Sequence, residues 1–101
     1  MFSKKEEYLA SVKKKLDELN YQWNIERNKF EAKVQHEGAH ARKKFEQERG
    51  DLRKLRKEVK EKIINLEVAG ENAWNDLKDG TEKSWKELRK AFEKATGNFK
   101  K

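Results

Sequence analysis

The sequence predicts an all-α protein in which a long amphipathic helix is followed by a shorter one, folded back as a helical hairpin or drawn out as an extended coiled coil. Three observations predict this class. Apolar residues keep to rows spaced by eleven: Leu52, Ile63, Trp74 and Trp85; Leu55, Leu66, Leu77 and Leu88; Val59, Gly70, Thr81 and Phe92. Eleven residues is close to three helical turns, so each row stays on one side of a nearly straight helix. The 101 residues include no proline, so nothing forces a helix to end. Finally, 45% of residues are charged and 34% apolar, a balance too lean for an ordinary globular core and common in long helices.

The first helix is expected over roughly 4–68. Ser3 and Glu6 form an S-x-x-E capping box, which places the helix start at Lys4. Leu9, Val12, Leu16, Leu19, Trp23 and Phe30 then recur at threes and fours, with Glu26 filling one slot, as a heptad-type seam. The seam continues through Val34, Ala41, Phe45 and Leu52 but thins, with Glu37, Gly38 and Glu48 on or near it. From Leu52 the eleven-residue rows take over. A second helix is expected over roughly 71–96, with Gly97 as its C-cap. Gly70 and Gly80 fall within the apolar or small rows, where each reads either as a hinge or as a point of close approach. A turn at Gly70 gives a hairpin; a continuous helix would be about 150 Å long.

Together the rows make an apolar stripe roughly 120° wide, the width of a helix face that packs on something else. Leu52, Leu55, Ile63, Leu66, Trp74, Leu77, Trp85 and Leu88 are therefore the candidate interaction face. The formal net charge is +7, and between Arg42 and Lys62 ten basic residues meet five acidic ones. A basic helix favours polyanionic partners, although such blocks also serve simply as solvated faces. The absence of cysteine excludes disulfides and thiolate chemistry. No apolar run is long enough for a signal peptide or a membrane span, so the expected location is the cytoplasm.

Two short motifs test whether the chain carries chemistry. His36-Glu37-Gly38-Ala39-His40 matches H-E-x-x-H, in which two histidines one helical turn apart ligate zinc and the glutamate activates water. A third ligand in the extended form of that motif is missing, because Lys43 and Glu46 break the spacing. Arg49-Gly50-Asp51 spells an adhesion tripeptide but sits in helical pattern rather than on a loop. Neither motif predicts catalysis, metal binding or a cofactor.

The segment from Ala69 to Ala95 carries Ala73-Trp74, Leu77-Lys78, Gly80, Trp85, Leu88 and Ala91-Phe92 in one spaced array. It resembles the C-terminal signature of small bacterial all-helical coiled-coil proteins of unassigned function. Its repeat is also similar to the eleven-residue repeats of exchangeable apolipoproteins. The resemblance covers about a quarter of the chain and implies an all-helical fold.

These readings converge on a non-enzymatic interaction protein that packs or self-associates through its stripe, with a homo-oligomer or another protein as the expected partner. A second reading is reversible binding of 69–99 to an anionic membrane, with Lys78, Lys86, Arg89 and Lys90 flanking the apolar face. Nucleic acid is not favoured as a partner: the aromatics do not interleave with the basic block, and base-stacking platforms usually sit on sheets.

Overall fold

The computed structural model describes residues 3–97 in full and the backbone of residues 98 and 99. Three helices follow one another: α1 (Lys4–Val34), α2 (Ala39–Val68) and α3 (Trp74–Phe99). They form an up-down-up bundle with overall dimensions of 53 × 21 × 18 Å. α1 runs antiparallel to α2, since Phe30 meets Phe45 at one end and Lys13 meets Glu67 at the other. α1 runs parallel to α3, since Tyr8 meets Trp74 and Trp23 meets Phe92. The packing between α2 and α3 is the most extensive of the three, and that between α1 and α3 the slightest.

The expected start of α1 is present. Ser3 is extended, with φ −71° and ψ 165°, and its hydroxyl accepts from the Glu6 amide at 3.2 Å. Glu6 and Glu7 place negative charge at the positive end of the helix dipole. The expected continuous helix over 4–68 is not present. It breaks after Val34, and Gln35, His36 and Glu37 form a turn closed by His36 N–H to Lys33 O and Glu37 N–H to Val34 O. Gly38 is the extended N-cap of α2. The physical reason is tertiary. A continuous helix would leave the stripe of Leu9, Val12, Leu19 and Trp23 in water, whereas the turn buries all four. Burying an apolar side chain of this size contributes about 1.5–3 kcal/mol, so four of them outweigh the few helical hydrogen bonds given up at the break.

The α2 N-terminus is thinly capped. Gly38 offers no side-chain acceptor, and no acid stands in the first turn of α2. A Cβ at Gly38 would meet nothing within 4 Å. Gly38→Asp is therefore expected to stabilise the bundle by about 0.5–1 kcal/mol through a capping hydrogen bond and the helix dipole. Urea unfolding followed by circular dichroism checks this, with the midpoint moving up.

The second break falls where Gly70 predicts it. Ala69 ends α2 in extended conformation, and the Ala73 and Trp74 amides both donate to Gly70 O, at 3.1 and 3.2 Å. The hairpin so formed excludes the extended form of the fold. α3 begins at Trp74 rather than at 71 and runs past Gly97, which lies within the helix and is not its C-cap. Gly70 and Gly80 are not points of close approach either: a Cβ would meet nothing within 4 Å at Gly70, and only the tip of Lys62, at 3.7 Å, at Gly80.

The core is a single file running along the bundle. α1 contributes Leu9, Val12, Leu19 and Trp23; α2 contributes Phe45, Leu52, Val59, Ile63 and Leu66; α3 contributes Trp74, Trp85, Leu88 and Ala95. Three buried hydroxyl side chains lie on α3, those of Thr81, Ser84 and Thr96, and the two threonines are satisfied locally. Thr81 donates to Leu77 O and Thr96 to Phe92 O, both at 3.0 Å.

Candidate interaction interface

The eleven-residue rows are cut by the turn at residues 69–73, and their two halves face each other across the α2–α3 hairpin. Of the eight residues expected on the interaction face, Leu52, Ile63, Leu66, Trp74, Trp85 and Leu88 are buried within one chain. Leu55 is half-buried against the core, and Leu77, in the first turn of α3 beside the hairpin turn, remains 38% exposed. The stripe is thus brought together as a core, and most of it is not presented at the surface.

Aromatic pairs fix α1 onto the hairpin. Phe30 and Phe45 lie 4.7 Å apart between ring centroids, and Trp23 meets Phe92 edge-on at 6.5 Å. Tyr8 packs against Trp74 at 6.3 Å, with the Lys78 ammonium 5.2 Å from the Tyr8 ring centroid. The Tyr8 hydroxyl donates to Glu82 at 2.5 Å. Burial, then the bond to Glu82, pushes its pKa well above the usual tyrosine range. The folded chain therefore holds this proton where the unfolded chain would release it, and stability falls with rising pH. The contribution is fully present below about pH 10 and is lost as the pH climbs towards the folded value. Tyr8→Phe is expected to cost about 1 kcal/mol at neutral pH, from loss of the hydrogen bond to a carboxylate. The gap between variant and parent should narrow above about pH 10, as read by denaturant unfolding at a series of pH values.

The H-E-x-x-H residues fall on the first helix break. His36 and Glu37 lie in the turn, and His40 is on the first turn of α2, all three exposed. The helical register that sets the two histidines one turn apart is absent there. Among the described residues no group of three histidine, cysteine or acidic side chains is placed to hold a metal ion. Arg49, Gly50 and Asp51 lie inside α2, as their pattern predicts.

The structure gathers a cluster of arginines along the seam between α1 and α2. Arg49 Nη1 lies 3.8 Å from Glu31 on α1 and 3.7 Å from Glu46 on its own helix. Arg27 Nε is 4.0 Å from the same Glu31 carboxylate, so one acid is shared by two guanidinium groups. Arg56 Nη1 donates to Asn20 at 3.3 Å, a neutral partner. Burial and then the nearby Arg53 and Arg27 hold the pKa of Arg56 below its usual value. The Nε atoms of Arg27 and Arg56 are out of solvent with no protein acceptor. An unsatisfied buried donor costs about 1–3 kcal/mol, so the seam is left short of negative charge.

Other faces differ. The groove between α2 and α3 is lined by Glu48, Asp51, Glu58 and Glu87 beside Lys54 and Lys94, a mixed surface. The α1–α2 seam itself changes character at its far end, where Lys13 pairs across helices with Glu67 at 2.6 Å. The cluster was hidden in the sequence because it joins two helices. Its α2 half has a signature, since Arg42, Arg49, Arg53, Arg56 and Lys60 recur at sevens, fours and threes on one flank. Its α1 half depends on the break at residues 35–38.

No protein-family model, curated protein or solved structure matches this chain. No described helix is long and apolar enough to cross a membrane.

Proposed function

We propose that this is a non-enzymatic helical interaction protein whose apolar stripe packs its own three helices and whose charged outer faces meet its partner. A cytoplasmic location is part of the proposal. The observation that supports it most is the burial of Leu52, Ile63, Leu66, Trp74, Trp85 and Leu88 within a single chain. With the stripe so occupied, folding does not need a second molecule, and self-association through the stripe requires a helix to be exchanged between copies. Sedimentation velocity over a wide concentration range, with circular dichroism on the same samples, tests this. The expected result is a helical particle with the mass of one chain. A mass of two or more chains would return the stripe to self-association, and an unfolded chain at every concentration would overturn the reading.

A second reading, reversible binding to an anionic membrane, draws support from the slight α1–α3 packing and the amphipathic character of α3. Release of α1 would uncover Trp85 and Phe92, which lie beside Leu19 of α1, with Lys78, Lys86, Arg89 and Lys90 exposed on the same helix. The side chains of residues 98 and 99, part of the segment first assigned this role, lie outside those described. Because Trp23, Trp74 and Trp85 are already buried, a blue shift of fluorescence would not report binding. Co-sedimentation with anionic vesicles, with loss of the near-ultraviolet tryptophan signal and retention of helix, is the expected result. Protein left wholly in the supernatant removes this reading.

A further inference from the structure

We infer that the arginine seam between α1 and α2 is a docking surface for the phosphodiester backbone of duplex nucleic acid, bound without regard to sequence. The inference rests on the reading of the protein as an interaction module and supplies its partner. Arg27, Arg49, Arg53 and Arg56 converge there with the Glu31 carboxylate shared by two of them. No acid stands three or four positions from Arg53 on α2, where the neighbours are Arg49, Gly50, Arg56 and Lys57. A phosphate oxyanion accepts from guanidinium forks in the geometry such a cluster offers.

Spacing and relief select the partner. From Arg49 to Arg56 is about 10 Å along α2, equal to about three phosphate-to-phosphate rises of one strand along the axis of B-DNA. Arg42 and Lys60 extend the same flank to about 27 Å. Arg27, Arg49 and Arg56 are recessed between two helices, so a ridge of phosphates can enter where a flat bilayer would first meet the exposed Lys43 and Lys57. Contact of this kind needs no base stacking, so the separation of the tryptophans from the basic block does not count against it.

Fluorescence anisotropy of the full chain with a labelled duplex of about 20 base pairs, from about 50 to 200 mM salt, tests the inference. The expected result is salt-dependent binding. Arg53→Gln with Arg56→Gln should weaken it at least about tenfold and lower the salt slope by about two, one for each phosphate contact removed. Lys86→Gln with Lys90→Gln, which removes the same charge from α3, should change affinity less than about threefold. Arg53→Gln alone, at an exposed position, keeps the test valid if the double variant loses helix. No binding at low salt, or equal losses in the two charge-matched pairs, overturns the inference. Equal competition by polyglutamate also overturns it, as does a preference for anionic vesicles that the arginine variants abolish. A chain that stays a folded monomer while failing to bind duplex defeats the inference and leaves the interaction-module reading standing; an unfolded chain defeats both.

Discussion

Replacing Trp23 with alanine is expected to be the most damaging single truncation in this chain. Trp23 is 1% exposed and is the largest fully buried side chain. Its ring meets Phe92 edge-on, so it joins α1 to α3 across the slightest of the three helix interfaces. Truncating a buried tryptophan costs about 3–5 kcal/mol, through lost transfer energy and the cavity left behind. Domains of this size are stable by about 5–15 kcal/mol, so a large share of the total is lost. At about 4–8 °C for each kcal/mol, the thermal midpoint should fall by at least about 12 °C in a circular dichroism melt. Tyr21→Ala is the matching control. Tyr21 lies two residues away on the same helix but is 69% exposed, and its truncation should change stability by no more than about 0.5 kcal/mol. A Trp23→Ala midpoint within a few degrees of the parent would show that α1 is not held on the hairpin by this contact.

The contrast between Trp23 and Tyr21 also shows which features could be read from sequence. Helical periodicity separates the two side chains, because a residue's face on a helix is fixed by spacing alone. The same reasoning placed the cap at Ser3, which depends on neighbours in sequence, and narrowed Gly70 to a hinge or a point of close approach, of which the structure shows the hinge. The break at residues 35–38 depends on something else. No proline occurs there, no described residue has positive φ, and the flanking residues are competent helix formers. Local propensity is nearly indifferent between a continuous helix and a turn. The decision falls to the burial of Leu9, Val12, Leu19 and Trp23 against elements more than 30 residues away, which spacing within one helix does not encode. The local traces are Gly38, which would cost about 1 kcal/mol inside a continuous helix and instead caps α2, and the lack of a large apolar side chain over residues 35–40 to hold them to a core. The eleven-residue rows misled in a related way: their apparent continuity from Leu52 to Leu88 crosses a turn, and what looked like one docking face is two facing halves. The arginine seam follows from the same break, since without it Arg27 and Arg56 would be about 44 Å apart along one helix.

The glycines carry the second large prediction. Gly50 lies in the middle of α2 and Gly80 in the first third of α3, at positions where the backbone is helical and φ is negative. A Cβ would meet nothing within 4 Å at Gly50 and only the flexible end of Lys62 at Gly80. Neither position therefore needs glycine for its conformation or for packing. Glycine in a helix interior costs about 1 kcal/mol relative to alanine, largely through the freedom it gives the unfolded chain. Gly50→Ala and Gly80→Ala should each recover about that amount. The antiparallel packing of α2 on α3 sets Lys62 beside Gly80, which leaves Gly50 about 18 Å further along α2, so the two gains should add. The double variant is expected to be about 2 kcal/mol more stable, with a thermal midpoint higher by roughly 8–16 °C. If instead either glycine allows a second molecule to approach, its alanine variant would gain stability as an isolated chain and lose affinity for that molecule. Measuring the duplex affinity of the stabilised double variant separates the cases: affinity should be unchanged, because a methyl group at either position removes no charge and meets no arginine within 4 Å.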